Sequence, residues 1–216
     1  MTVAEHLLDI RARIQAAGGD LDRVRIVAVT KGFGAATVAE ALAAGLPDVG
    51  ENYAQELLAK AQEVDGARWQ FLGRIQRRKV RLLGPLVHRW HSVDRAEVGV
   101  EIARHAPGAR VLVQVAAWDE PQKGGVPPAA TEPLVDALVA QGLQVEGLMA
   151  IAPAGAGDRA REGFATVRAL ADHLGLPECS MGMTDDFELA VQEGATMVRL
   201  GRVLFGPRSG AATVRN

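Results

Sequence analysis

Short apolar segments alternate with helical segments along almost the whole sequence, and this alternation constrains the fold more than any other feature. Residues 24–30 are apolar and mostly β-branched, as in a buried strand. Residues 35–44 are rich in alanine, leucine and glutamate, and Gly45 follows them, as at the end of a helix. Eight strand-like segments precede a helix or a glycine-rich turn: 24–30, 46–49, 69–72, 89–93, 110–116, 145–151, 179–180 and 197–200.

Strands separated by helices predict parallel βαβ units, and eight such units close most economically into a single-domain (β/α)8 TIM barrel. The length of 216 residues is short for this fold, which typically takes about 250 residues. An open doubly wound sheet is the alternative, but no G-x-G-x-x-G fingerprint follows the first strand. We therefore predict a barrel over residues 1–208 and a flexible tail over 209–216.

Composition excludes several functional classes. Hydrophobic residues make up 48% of the chain and charged residues 23%, so the chain can bury a core and is not disordered as a whole. The net charge of −2 argues against a dedicated nucleic-acid binder. Five cations lie between residues 74 and 81 without interleaved aromatic residues, which favours a solvated helix face: Arg74, Arg77, Arg78, Lys79 and Arg81.

The sequence also indicates where the protein is located and whether it binds a metal. No run approaches the ~18 uncharged apolar residues that a membrane span needs, so we expect no membrane contact. Cys179 is the only cysteine and cannot form an internal disulfide, which favours the reducing cytoplasm. The histidine and cysteine spacing matches no metal-binding motif, so we expect no metal site.

Lys31 directly follows the first predicted strand, and Gly32 and Gly34 come next. In a barrel, the C-terminal ends of the strands form the working face. A lysine amine in that place is partly desolvated and is suited to forming a Schiff base with an aldehyde. A solvated lysine at a strand end is the alternative interpretation, and position alone leaves both open.

The loops after the seventh and eighth predicted strands carry groups that can bind an anion. Barrels often hold phosphate between these two loops. The candidate groups are hydroxyls, backbone N–H groups beside glycine, and guanidinium groups, contributed by Ser180, Gly182, Thr184, Arg199, Gly201 and Arg202. Helix capping by Thr184 or Asp185 and a solvated Arg202 are the alternative. Together with Lys31, the loops predict a site for a phosphorylated aldehyde bound as an imine.

Several runs carry a family resemblance, and they span about residues 7–208. They are VAVTK (27–31), GENYAQE (50–56), WQFLG (69–73), GLMAI (147–151), SMGMTDD (180–186), VRLG (198–201) and LFG (204–206). In this order they resemble the pyridoxal phosphate homeostasis proteins of the YggS/PROSC type. The resemblance implies a barrel similar to the barrel domain of bacterial alanine racemase, pyridoxal 5′-phosphate as cofactor, and no robust catalytic activity.

The resemblance also implies roles for individual residues. Lys31 would form the internal aldimine, Arg199 would face the pyridine nitrogen, and an arginine there makes the ring a weaker electron sink. The other implied cofactor-binding residues are Asn52 and Met149 near the ring, with Ser180, Gly182 and Gly201 around the phosphate. The family usually has serine at Thr184, serine or threonine at Arg202, and asparagine at Arg78.

The function implied is intracellular vitamin B6 homeostasis, in which a monomer holds the cofactor and buffers it or delivers it to pyridoxal-phosphate-dependent apo-enzymes. A racemase-like enzyme is the alternative, but alanine racemase takes its second base, a tyrosine, from a further domain. We expect the only tyrosine here, Tyr53, to pack rather than catalyse. A Schiff-base aldolase is a weaker alternative, with Glu51 as the nearest acid in sequence.

Overall fold

A computed structural model describes residues 2–207 of the chain. Its sheet is a closed barrel of eight parallel strands in sequence order, with β8 paired to β1. This confirms the predicted (β/α)8 barrel. The predicted flexible tail, residues 209–216, lies outside the described residues. The strands are β1 (Arg25–Val29), β2 (Asp48–Glu51), β3 (Arg68–Phe71), β4 (Val87–Val93), β5 (Arg110–Gln114), β6 (Gln144–Met149), β7 (Glu178–Ser180) and β8 (Met197–Leu200).

Helices connect the strands and surround the barrel. They are α1 (Val3–Ala16), α2 (Ala35–Ala43), α3 (Ala54–Glu63), α4 (Arg77–Leu83), α5 (Ala96–His105), α6 (Thr131–Ala140), α7 (Asp158–His173), α8 (Phe187–Gln192) and α9 (Arg202–Phe205). Two 3-10 turns, Pro121–Lys123 and Pro128–Ala130, lie in the connection between β5 and α6. Within residues 2–207, no helix is long and apolar enough to cross a membrane.

Two boundaries and one short helix illustrate how the structure differs from the sequence prediction. The sequence pattern predicts a helix over residues 164–174, but α7 begins at Asp158, because its first turn is polar and carries little apolar periodicity. Strand β2 begins at Asp48 rather than at residue 46, since the Leu46 N–H donates to the Ala41 carbonyl and still closes α2. The short helix α9 was not predicted, because four residues give no periodic pattern.

The core has two layers. The outer layer packs the sheet against the helices, and its largest fully buried side chains include Trp90, Phe164 and Phe187. A separate small cluster, Leu112, Met149 and Met197, packs without joining that layer. Much of the remaining barrel interior is polar, and its side chains hydrogen-bond to one another between strands. This polar interior positions the residues at the C-terminal end of the barrel.

Candidate functional site

A cavity of about 390 Å³ opens at the C-terminal ends of the strands. Among the described residues that line it are seven of the nine predicted site residues: Lys31, Asn52, Met149, Thr184, Arg199, Gly201 and Arg202. Val29, Leu72 and Ile151 add apolar walls. The topology therefore brings together residues that lie up to 171 positions apart in sequence, from Lys31 to Arg202.

A second hollow of about 600 Å³ lies at the opposite end of the barrel, and Arg23, Arg168, Asp172 and Thr196 are among its lining residues. Arg168 there pairs with Asp172 at 2.6 Å. This lining contains no lysine amine. Barrel chemistry concentrates at the C-terminal end of the strands, so the smaller cavity is the functional candidate despite its lesser volume.

Lys31 lies on the turn that leaves β1. Thr30, directly before it, is fully buried, and its N–H donates to the Gly50 carbonyl at 3.0 Å. Gly32, directly after it, has φ +75°, a left-handed conformation that glycine adopts without steric cost. The next residue, Phe33, packs its ring against Phe205 with the centroids 5.6 Å apart. The turn therefore fixes Lys31 at the cavity wall.

Arg199 is held in the floor of the cavity by backbone carbonyls and one hydroxyl. Its guanidinium donates to the Ser180 carbonyl at 2.6 Å, to the Ser180 hydroxyl at 2.8 Å and to the Ala150 carbonyl at 2.7 Å. Burial lowers the pKa of Arg199 to about 10, partly offset by the nearby carboxylate of Asp186. The guanidinium is therefore still cationic at neutral pH, and three hydrogen bonds fix its plane.

Ser180 and Gly182 lie outside the cavity lining of the described chain. Ser180 is fully buried below Arg199. Gly182 has φ +90°, and a Cβ there would lie 2.6 Å from the Cβ of Ala190, so this glycine allows α8 to pack closely. Neither residue is among the described lining residues, and their predicted place around an anion stays a prediction.

A chain of side-chain hydrogen bonds runs from Ser180 through the barrel interior. The Ser180 hydroxyl lies 3.0 Å from His91 Nδ1, and His91 Nε2 lies 2.9 Å from Gln70 Oε1. Gln70 Nε2 then donates to Asp48 at 2.6 Å, and Asp48 also accepts from Arg68 at 2.6 Å. The chain links the cavity floor to the opposite end of the barrel.

The donor and acceptor of each hydrogen bond from Ser180 to Asp48 can be assigned from the chemistry of these side chains. The Asp48 carboxylate only accepts, so Gln70 donates to it through Nε2 and presents Oε1 to His91. Neutral His91 must then carry its proton on Nε2 and accept from the Ser180 hydroxyl at Nδ1. The Ser180 hydrogen is therefore committed to His91, while its oxygen accepts from Arg199. The sequence analysis did not predict this series of hydrogen bonds.

His91 stays neutral because burial lowers its pKa well below the ordinary value, and the cationic Arg199, Arg89 and Arg25 lower it further. Histidine in an unfolded chain has a pKa near 6.5, so it binds a proton below that pH. His91 in the folded protein does not bind this proton, and acid therefore favours the unfolded state. We expect this group to remove about 2 kcal/mol of folding stability between about pH 7 and pH 5. Urea denaturation across that range measures the loss.

The matched variant is His91→Gln, whose amide can accept from Ser180 and donate to Gln70 without titrating. Its stability should fall less on acidification than that of the wild type. His88→Gln is the control, since His88 is half-buried and its lowered pKa, caused first by partial burial, gives a smaller effect of the same sign. Equal acid sensitivity of the wild type and His91→Gln would contradict the neutral His91 in this chain.

The rim of the cavity carries opposite charges. Arg202 begins α9 and forms an ion pair with Asp185 at 2.6 Å, and both side chains are exposed. Asp186 is tied into the same loop, because its carboxylate accepts from the Met183 N–H at 2.5 Å. Burial raises the pKa of Asp186, although that hydrogen bond opposes the change. The charge of Arg202 is therefore already paired with the Asp185 carboxylate before any anion binds.

Two other expectations have clear outcomes. Four of the five cations, Arg74, Arg77, Arg78 and Arg81, are exposed, as expected for a solvated face, and Lys79 is half-buried. Arg77 approaches Glu101 at 3.4 Å. The expectation that Tyr53 packs is wrong, because 57% of Tyr53 is exposed. It occupies the position before α3, where the chain is extended and the side chain falls outside the apolar face of that helix.

Comparisons with known proteins place the chain in a family. The family model of the alanine racemase N-terminal domain matches residues 6–209. The pyridoxal phosphate homeostasis protein of Pseudomonas aeruginosa is 41% identical over 222 residues, covering 96% of this chain and 96% of that protein. The chain belongs to the pyridoxal phosphate homeostasis protein family. The resemblance inferred from the sequence runs is thereby confirmed.

A second relative by sequence and one solved structure extend the comparison. The protein named so in Deinococcus radiodurans is 39% identical and covers 95% of this chain and 100% of that protein. PipY of Synechococcus elongatus, solved with pyridoxal phosphate bound, superposes with a TM-score of 0.84 at 34% identity, covering 95% of this chain and 100% of PipY. The family fold therefore accounts for the whole described barrel.

Proposed function

We propose that this chain binds pyridoxal 5′-phosphate in the cavity and serves intracellular vitamin B6 homeostasis by holding the cofactor and releasing it on demand. The observation that carries the proposal is the convergence of Lys31, Arg199 and Thr184 on the lining of one 390 Å³ cavity. The names of the family relatives and the cofactor bound in PipY support it.

The residues present fit this cofactor. When bound, pyridoxal phosphate supplies an aldehyde that condenses with a lysine amine, forming a carbon–nitrogen double bond with loss of water. Lys31 supplies that amine from the cavity wall. Val29, Leu72, Met149 and Ile151 offer apolar surface to an aromatic ring: their places in the lining match such a ligand.

Charged and hydroxyl groups suit the two polar ends of the cofactor. We assign Arg199 to the ring nitrogen, because its fixed guanidinium donates hydrogen bonds and cannot accept one. Such a partner leaves the ring nitrogen unprotonated and weakens the electron-withdrawing power that catalysis needs, which favours a carrier. We assign the phosphate to Thr184, Arg202 and the backbone of Gly201, at the rim.

Ser180 and Gly182 act indirectly in this proposal. The Ser180 hydroxyl hydrogen is committed to His91, so Ser180 supports Arg199 rather than donating to phosphate. Gly182 accepts from the Arg199 N–H through its carbonyl at 3.0 Å. Both residues therefore stabilise the arginine that we assign to the ring, and Asn52 lines the cavity beside the lysine turn.

We further infer that the chain works as a monomer in the cytoplasm and passes its cofactor to pyridoxal-phosphate-dependent apo-enzymes. Cys179, the single cysteine, is buried, and burial raises the pKa of its thiol to about 11, which suits a structural residue with no redox role. The exposed basic segment on α4 is solvated and partly paired with Glu101, so we assign it no nucleic-acid partner.

An absorption spectrum tests the proposed function. Adding pyridoxal phosphate to purified protein should give a visible band, and borohydride should then fix the cofactor to the protein, since reduction makes the carbon–nitrogen link permanent. Pyridoxine phosphate, which has an alcohol in place of the aldehyde, should bind without being fixed. A protein that remains colourless and takes up neither compound would exclude the proposal.

A further inference from the structure

A buried lysine lies directly behind the turn that carries Lys31. Lys60 is on α3, and only 6% of its side chain is exposed. Its ammonium group donates to the Thr30 carbonyl at 2.8 Å, to Glu51 at 2.5 Å and to Glu56 at 3.1 Å. All three ammonium protons are therefore used, and Lys60 is a fixed part of the structure with no capacity left for a ligand.

The contacts of this cluster converge on the two peptide groups that bracket Lys31. The Thr30 carbonyl, which belongs to the peptide group before Lys31, accepts from Lys60. The Gly32 N–H, which belongs to the peptide group after Lys31, donates to Glu56 at 2.7 Å. The orientation of these two groups sets the backbone dihedrals of Lys31 and hence the direction in which its side chain leaves the backbone.

Glu51, at the end of β2, completes the cluster. Its carboxylate accepts from the Thr30 hydroxyl at 2.6 Å and from Lys60 through the same oxygen. Burial raises the pKa of Glu51, and Lys60 and Thr30 act against that change. The other oxygen, Oε2, is buried and has no hydrogen-bond partner within residues 2–207.

This arrangement is costly if its only role is to hold the fold together. Removing charges from water costs free energy that a buried ion pair often fails to recover, so a packed apolar group would stabilise the turn at least as well. Among the described residues, none of Glu51, Glu56 and Lys60 lines the cavity. What they share is contact with the backbone or side chains of the residues on either side of Lys31.

We propose that Lys60, Glu51 and Glu56 form a positioning clamp that orients Lys31 for its bond to the aldehyde. This inference rests on the proposed function of Lys31. The clamp holds both flanking peptide groups with charge-assisted hydrogen bonds, so the turn loses its conformational freedom during folding rather than during ligand binding. We expect it to act on the covalent bond, because none of its three side chains is among the described residues that line the cavity.

The test compares an aldehyde ligand with an alcohol ligand. Glu56→Ala removes the acceptor for Gly32, and the variant can fold because 31% of the Glu56 side chain is already exposed and water can replace it. We expect its affinity for pyridoxal phosphate to fall about tenfold, as for one lost charge-assisted hydrogen bond. Its affinity for pyridoxine phosphate, which cannot bond to Lys31, should change by less than about twofold.

Two further variants sharpen the comparison. Glu56→Gln keeps a side-chain carbonyl that can accept from Gly32, and it should recover most of the lost affinity for pyridoxal phosphate. Glu63→Ala removes an exposed glutamate from the same helix and should bind both ligands as the wild type does. Thermal unfolding of all three variants without ligand shows whether any difference follows from stability.

The outcomes separate the clamp from the proposed function. If the wild type gains a borohydride-fixed cofactor but Glu56→Ala binds pyridoxal phosphate unchanged, the clamp is wrong and the proposed function stands. If Glu56→Ala loses affinity equally for both ligands, Glu56 has a general structural role and the clamp is again wrong. If the wild type takes up neither ligand and borohydride fixes no cofactor, the proposed function itself fails.

Discussion

Lys31→Ala is expected to abolish the borohydride-fixed cofactor completely. Without the amine no carbon–nitrogen bond can form at the cavity wall, while Arg199, Thr184 and the apolar walls are unchanged. The variant should therefore still bind pyridoxal phosphate reversibly, with an affinity close to that for pyridoxine phosphate. Intact-mass measurement after borohydride reduction distinguishes the fixed cofactor from the reversibly bound one, and equilibrium dialysis measures the remaining affinity.

The chain makes this measurement unusually specific, because it contains only four lysines: Lys31, Lys60, Lys79 and Lys123. Lys60 is buried in the clamp, and Lys123 donates to the Ala152 carbonyl at 2.8 Å. Lys79→Ala, on the solvated face of α4, is the matched control and should retain the full mass increase. A fixed cofactor that persists in Lys31→Ala, mapped by peptide analysis to another lysine, would overturn the assignment.

Most of the cavity could be predicted from sequence, because parallel barrel strands bring their C-terminal ends to one face. That rule predicts Lys31 after β1 and Arg199 near the end of β8, whereas Met149 at the end of β6 was implied only by the family resemblance. The rule does not say whether a residue at a strand end lines the cavity or lies below it in the barrel interior. Ser180 lies at the end of β7, yet it points into the barrel interior below the cavity, where His91 takes its hydroxyl hydrogen.

The polar interior was harder to predict because strand patterns do not say which face of a closed barrel a polar residue occupies. Asp48 and Gln70 were placed in or beside strands, but their mutual hydrogen bond depends on the register between β2 and β3. For Tyr53 the error is the opposite one, because a residue expected to be buried is exposed. Its large aromatic side chain favours burial on average, but one position before α3 it lies off the apolar face and is exposed.

Lys60 was missed for a different reason. Lysine is among the residues least often buried, so composition alone assigns it to the surface. The helical spacing nevertheless contained a signal: Lys60 falls three residues after the buried Leu57, on the face that also buries Ala54. A charged residue in the apolar stripe of a helix, behind a candidate lysine site, is a feature that sequence analysis can search for directly.

Lys60→Met is expected to destabilise the folded protein by about 3–5 kcal/mol near neutral pH, because it leaves Glu51 buried without its cation. Methionine is unbranched and only one atom shorter than lysine, so loss of packing contributes little. With Lys60 gone, the pKa of Glu51, already raised by burial, rises further. A carboxyl whose folded pKa exceeds its unfolded value gains stability as the pH falls, so mild acid should partly restore the variant.

Lys60→Met/Glu51→Gln removes both charges together and should recover most of the lost stability, since a buried pair deleted as a unit costs far less than one partner alone. Urea denaturation of the single and double variants, near neutral pH and in mild acid, measures both effects. Lys79→Met provides the control, as a lysine replaced outside the clamp. If the single variant is as stable as the wild type, Glu51 is not a buried charge held by Lys60. A double variant no more stable than the single one would instead mean that Lys60 stabilises the turn through Thr30 alone.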